Sequence, residues 1–292
     1  MQENVKTDHW KEWLVKNRYG GSEEAKRLHL EGMGQIRDRI LRNASLKEGE
    51  CLLDVGTGEG LVGFGALVTP NVQVIFSDVS ESLVELCTEI ATETGLRDRC
   101  EFVVADAIDL SKIPDSSVDV ITTRSVLIYV KEKQKAFNEF FRVLKPGGRI
   151  SLFEPIAKIY QQFTAGRYMG IDVSPIKELF AKIKGYGSPN DATQTMSDFD
   201  DRDLVRMSID AGFSHAKLEL EIEVGNAQLG HRDWNTFYNQ SPNPLVPTLR
   251  EQVEQALSAD EQNRFIAYMK QQVEHGTKFY SQALAFLMAD KA

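Results

Sequence analysis

Three aspartates stand at the ends of apolar runs: Asp54 in Cys51-Leu-Leu-Asp-Val55, Asp78 after Val72-Gln-Val-Ile-Phe-Ser77, and Asp106 after Cys100-Glu-Phe-Val-Val104. A carboxylate there costs free energy unless it holds backbone amides or ligand hydroxyls. Glycines crowd in behind the first of them, as Gly56-Thr57-Gly58-Glu-Gly60-Leu-Val-Gly63. Such a turn, between a strand and a helix expected to open at about Glu59, lets backbone approach a nucleotide-like ligand. Two further groups could move a proton. Glu154 closes the apolar run Arg149–Phe153, and His231 lies close to Trp234, Phe237 and Tyr238. The tyrosines Tyr129 and Tyr19 could donate a phenol near the mouth of a site.

The turn alone admits more than one ligand. Gly58-x-Gly60-x-x-Gly63 fits a dinucleotide fingerprint, which is a weak signal by itself. Asp78, 20 residues after Gly58, could take a ribose in either reading. A pyrophosphate would not welcome the Asp54 carboxylate before the glycines; a cationic amino-acid tail would tolerate it. Asp106 could accept a hydrogen bond from an adenine amino group.

The elements that must hold these groups alternate. Strands are expected at Cys51–Val55, Val72–Ser77, Cys100–Val104, Val118–Thr122 and Arg149–Phe153, with helices at Ser80–Thr94 and Lys131–Leu144. That rhythm means a parallel sheet covered on both faces. It breaks at residues 156–198, resumes with a helix at Asp200–Ala211 stopped by Gly212, and continues with a strictly alternating strand, Ala216–Val224. Thr248-x-x-Glu251 and Ser258-x-x-Glu261 then read as capping boxes of two helices, the second stopped by Gly276, before a last strand at Phe279–Met288. Ahead of the sheet, Trp10, Trp13 and Leu14 sit at helical spacing, and Gly20-Gly21 separates them from a helix opening at Ser22.

The formal net charge of -9 on 292 residues argues against a broad nucleic-acid footprint. No apolar run is long enough to cross a bilayer, and the N-terminus carries no targeting character, so a cytoplasmic protein without membrane or nucleic-acid partners is expected. Three cysteines, Cys51, Cys87 and Cys100, lie in apolar contexts and read as buried thiols. No dense Asp/His cluster suggests a metal.

Leu52-Leu-Asp-Val-Gly-Thr-Gly-Glu-Gly60, Phe76-Ser-Asp-Val-Ser80, Asp106-Ala107 and Leu144-Lys-Pro-Gly-Gly-Arg149, in that order, resemble the motifs of the class I S-adenosylmethionine-dependent methyltransferases. The resemblance is strong over residues 48–155 and topological elsewhere. It implies an α/β Rossmann-like fold: a seven-stranded sheet with its last strand antiparallel, helices on both faces, and helical cap insertions. It implies an arm or lid at 1–47, a core at 48–155, 199–225 and 277–292, and caps at 156–198 and 226–276. It further implies that Gly56, Thr57, Gly58 and Gly60 pass beneath the methionine part of the cofactor, with Asp54 positioning the turn. Asp78 would hold the ribose hydroxyls, Val79 would lie on adenine, and Asp106 and Ala107 would face its edge. Arg124 and Ser125 would approach the methionine end, and Tyr19 is counted with the cofactor side.

Methyl transfer from a sulfonium needs alignment and dryness more than acid–base chemistry. A base is needed only where the acceptor must lose a proton, and Glu154, His231 and Tyr129 are the candidates. The stretch Thr122-Thr-Arg-Ser-Val-Leu-Ile-Tyr129 lacks the Asn/Asp-Pro-Pro-Tyr/Phe of base-methylating members. The expectation is therefore a methyltransferase acting on O, N or C of a small, partly apolar molecule. Three alternatives stay open: a protein or RNA methyltransferase, a regulatory protein that binds the cofactor without turnover, and a dinucleotide oxidoreductase. The paired helices of the second insertion offer a surface on which two copies could associate.

Overall fold

The computed structural model describes residues 8–187, 194–228 and 233–292. The strands among them are β1 Cys51–Val55, β2 Gln73–Asp78, β3 Cys100–Val104, β4 Val118–Arg124, β5 Leu144–Pro155, β6 Arg167–Tyr168, β7 Ile171–Asp172, β8 His215–Gln228 and β9 Thr277–Asp290. Seven of them form one sheet in the order β3-β2-β1-β4-β5-β9-β8, and β6 with β7 makes a separate ribbon. β1 pairs in parallel with β2 and β4, β2 with β3, and β4 with β5. β9 runs antiparallel to β5. The expected seven-stranded sheet with an antiparallel last strand is the observed one.

The chain folds into two compact units. The sheet unit comprises residues 30–156, 195–221 and 284–292. Its short central strands read as near-continuous apolar runs because both faces are covered. Leu52, Val74, Phe76 and Val120 pack with Ala66, Cys87 and Ala91 on one face. The helix Lys133–Val143 buries Ala136, Phe137, Phe140 and Val143. Each of those phenylalanines contributes on the order of 2–3 kcal/mol by leaving water. Arg149, closing the Lys145-Pro-Gly-Gly corner, reaches Ser45 O at 2.8 Å and grips Glu50 with two nitrogens at 3.0 and 2.7 Å, fixing the end of the helix Glu23–Ala44 to the start of β5.

The other unit comprises residues 1–29, 157–194 and 222–283. It is aromatic. Ile171, Phe180, Phe237, Val253, Phe265 and Met269 form its core, with Tyr168, Trp234 and Tyr238 partly buried against it. Both expected capping boxes are present, Thr248 with Glu251 at the start of Leu249–Ala256 and Ser258 with Glu261 at the start of Ala259–His275. The N-terminal helix His9–Val15 is tied into this unit, Trp13 Nε1 donating to Ser241 O at 3.0 Å.

Two local expectations are corrected. The helix after the glycine turn starts at Leu61 and not at Glu59, because Gly60 is left-handed (φ 81°) and stands outside it as its N-cap. β5 begins at Leu144, so the Lys145-Pro-Gly-Gly corner lies inside the strand, and the pairing with β4 shifts register between Val118 and Val120. Gly276 ends the helix Ala259–His275 as expected, with φ -85°. A Cβ there would stand 2.5 Å from Gln272 O.

Candidate active site

The carboxyl ends of β1, β2, β4 and β5 bring together most of the residues singled out from the sequence. Asp54, at the end of β1, is buried. Its carboxylate accepts from Thr57 Oγ1 at 2.7 Å, Gly63 N at 3.1 Å and Thr122 Oγ1 at 2.8 Å. It thus cross-braces the turn, the following helix and β4. Burial pushes its pKa up to about 6, against the lowering by Thr57, Thr122, Gly63 and the nearby Arg124 charge.

The turn is built of left-handed glycines: Gly56 has φ 64° and Gly58 φ 57°. At Gly56 the side chain of Val126 comes so close that a Cβ would meet its Cγ2 at 2.3 Å. Thr57 N donates to Ser77 O at 2.9 Å, which seats the turn across the end of β2.

Asp78 ends β2 and is buried. Its Oδ2 accepts from Gly58 N at 2.9 Å and its Oδ1 from Ser80 N at 3.0 Å. Capping of the helix Glu81–Glu93 falls to Ser80, which accepts from Leu83 N. Val79, between them, is 51% exposed. Asp106 is exposed and accepts from Ile108 N at 3.2 Å, while Ala107 is buried.

At the end of β4, Arg124 is half-buried and its Nη1 lies 3.9 Å from Met33 Sδ. Ser125 has φ 58°, a left-handed conformation in a non-glycine residue, held by its amide donating to Phe153 O at 2.8 Å. Backbone strain of this kind persists where the surroundings over-determine it, and it clusters at functional sites. Tyr129, half-buried, ends the short 3-10 turn Leu127–Tyr129 that follows.

Glu154 is 1% exposed. Its Oε1 accepts from Val126 N and Leu127 N, both at 2.9 Å, and its Oε2 from Ile128 N at 3.1 Å. Burial pushes its pKa up to about 7, opposed by these amides and by the Lys133 charge. A carboxylate holding three backbone amides is a clamp on the segment after β4, which is different work from that of the base expected from the sequence. Lys133 holds the far end of the same segment. It is 5% exposed, and its ammonium donates to Val130 O at 2.9 Å, Thr195 O at 3.0 Å and Asp198 at 2.5 Å.

Two candidates remain. Tyr19 belongs to the aromatic unit, buried and tilted against His29 with ring centres 5.5 Å apart. His231 lies outside the described residues; its neighbour in sequence Trp234 stacks on Tyr238 at 4.9 Å and on Phe237 at 6.2 Å. All three cysteines are free thiols. Burial pushes Cys87 up to about 12 and Cys51 up to about 11, which makes both poor nucleophiles.

Val126 and Ser125 show what the sequence hides. Neither the packing of Val126 on Gly56 nor the inverted backbone of Ser125 leaves a mark in residue type or spacing.

These residues fit an adenosyl amino-acid ligand. Left-handed glycines leave the backbone of the turn bare of side chains, and an exposed apolar Val79 sits beside a buried carboxylate, as an adenine ring and its ribose require. Ser77 Oγ and Thr123 Oγ1, on strands flanking Val55 in register, are buried polar atoms with no hydrogen-bond partner among the described residues.

The model of a methyltransferase domain family matches residues 46–196, just over half of the chain. The ubiquinone/menaquinone biosynthesis C-methyltransferase UbiE of Photorhabdus laumondii is 33% identical over 143 residues, covering 46% of this chain and 57% of that protein. Its counterpart in Yersinia pestis strain Pestoides F is 34% identical over the same shares. The match thus spans little more than half the length of these curated relatives. Among solved structures, the YcgJ protein of Bacillus subtilis shares the fold with a TM-score of 0.55 at 17% identity, over 88% of this chain and 98% of that one. The phosphoethanolamine N-methyltransferase 2 of Haemonchus contortus, solved with S-adenosyl-L-methionine, has a TM-score of 0.50 at 18% identity, over 97% of this chain and 56% of that one. With the glycine turn, Asp78 and the sheet order in place, the chain belongs to the class I S-adenosylmethionine-dependent methyltransferases.

Proposed function

We propose that this chain moves the methyl group of S-adenosylmethionine to a small, partly apolar molecule, and that carbon is the acceptor atom to test first. The observation that carries the donor half is the buried Asp78 bonded to Gly58 N, which joins the ribose-binding carboxylate to the turn. The UbiE relatives, with their part in ubiquinone/menaquinone biosynthesis, support a small ring-bearing acceptor and carbon.

Bound S-adenosylmethionine supplies a methyl on a positive sulfur, open to displacement in line. The chain's own residues bind and orient. Asp78 holds the ribose hydroxyls through charge-assisted hydrogen bonds. Val79 gives adenine an apolar wall, with Asp106 and Ala107 at its edge. The glycine turn admits the amino-acid part, and Asp54 keeps the turn in shape. Arg124 and Ser125 face the methionine end. Tyr129 and His231 remain the candidates for handling a proton on the acceptor.

The test is transfer of labelled methyl from S-adenosylmethionine to a panel of quinols, phenols, amines and carboxylates, with cell protein and RNA as parallel acceptors and the product's new carbon located by NMR. Label on a ring carbon of a quinol supports the full reading. Label only on a protein or an RNA overturns the small-molecule part.

A further inference from the structure

We propose that Glu154 is a positioning residue for the cofactor: through Val126 it sets the glycine turn. This rests on the donor half of the function proposed above and deepens it.

The path is short and each link is a contact. Glu154, at the end of β5, accepts from the amides of Val126, Leu127 and Ile128. The residue before them, Ser125, is pinned from the same strand, its amide donating to Phe153 O. Four successive amides therefore point at the end of one strand. Backbone amides that converge on one carboxylate form an anion nest. With Ser125 inverted at φ 58°, the Val126 side chain is delivered onto Gly56. Gly56 is the first glycine of the turn, and its own φ of 64° fixes where Thr57 and Gly58 go. Val126 therefore acts as a wedge, and Glu154 holds the wedge in place.

This also accounts for a buried carboxylate that would otherwise be costly. Its hydrogen-bond partners are amides. The charge that acts on it is the Lys133 ammonium, itself bound to Val130 O, Thr195 O and Asp198. Amides donate, so the clamp needs a carboxylate that only accepts. A proton on Oε2 would set a donor against Ile128 N–H and release that end of the segment. Burial holds the Glu154 pKa near 7, so the clamp loosens in the neutral range.

Three variants read this out. Glu154→Gln keeps an acceptor for Val126 and Leu127 and opposes Ile128 with a donor. Glu154→Ala removes all three bonds. Val126→Ala leaves the carboxylate satisfied and removes only the wedge. Calorimetry with S-adenosylhomocysteine at pH 8 is expected to show weakening of roughly tenfold for Glu154→Gln, more for Glu154→Ala, and three- to tenfold for Val126→Ala. In wild type the affinity should fall about fourfold from pH 8.5 to 6.5 through Glu154, against less than about twofold in Glu154→Gln, where Asp54 still titrates on the turn. In the free protein, hydrogen exchange at the Ile128 amide should be faster in Glu154→Gln than in wild type. Should Glu154→Ala fail to fold, Val126→Ala and the wild-type pH series still decide. Wild type that binds while Glu154→Gln and Val126→Ala bind within twofold of it, or a Glu154→Gln with the wild-type pH slope, overturns the proposal. A wild type that does not bind S-adenosylhomocysteine overturns the donor reading and this inference with it.

Discussion

The sheet unit and the aromatic unit solve burial in opposite ways. The first buries charge at its strand ends and at the start of the helix Lys133–Val143: Asp54, Asp78, Lys133 and Glu154 are each at most 7% exposed. Each is bonded to protein donors or acceptors. The second buries rings and chains, with Phe180, Phe237, Phe265 and Met269 at its centre. Its boxed helix starts carry their carboxylates at the surface. Buried charge fixes geometry at a cost in stability, whereas buried hydrocarbon stabilises and recognises by shape. Donor recognition needs the first. Changes in the sheet unit should therefore act mainly on cofactor binding, and changes in the aromatic unit mainly on stability.

The largest effect is expected in the aromatic unit. Phe265→Ala empties a fully buried ring site and should cost about 3–5 kcal/mol. Hydrogen exchange should show the loss of protection in residues 168–183 and 234–273. Protection in 51–155 should stay as it was. Loss in both stretches would break the comparison.

Gly56→Ala comes next. Its Cβ would meet Val126 Cγ2 at 2.3 Å on a backbone at φ 64°. Calorimetry should find affinity for S-adenosylhomocysteine down by about a hundredfold, roughly 3 kcal/mol.

A pH effect follows from the raised carboxyls. Asp54 and Glu154 titrate in the fold at about 6 and about 7, above their unfolded values near 4. The proton they keep on folding stabilises the native state below pH 4. That contribution is lost as pH rises through 6 and then 7. Denaturant melts of Glu154→Gln should show a shallower fall in stability between pH 5 and 8 than wild type, by on the order of 2 kcal/mol. A curve parallel to wild type would say that Glu154 does not titrate there.

The smallest effect is Thr248→Ala, which removes a capping box from an exposed helix start. It should cost about 1 kcal/mol in thermal melts and leave cofactor affinity unchanged.

Much of the sheet unit was legible because its first three strands are short, mainly apolar runs with a polar residue at or just past their ends. β1 and β3 fall where the periodicity puts them, at Cys51–Val55 and Cys100–Val104. The capping boxes were legible for a similar reason, since the residue pair is itself the local structure. β8 and β9 run to 14 residues each, beyond their alternating cores. Cross-strand pairing extends them, and a single strand's sequence does not record it. Asp54, Asp78 and the glycines were visible as breaks in pattern. The work of Glu154 was not, because a carboxylate at the end of a strand looks the same whether it meets a substrate or three amides. Only the fold of Val126–Ile128 separates the two.

The central claim is that the turn and Asp78 together seat S-adenosylmethionine. Calorimetric titration of S-adenosylhomocysteine into wild type and Asp78→Ala at pH 8 tests it most directly. Saturable one-to-one binding to wild type, weakened at least a hundredfold in a folded Asp78→Ala, is the predicted result. No binding to wild type, or equal binding to both, would contradict it.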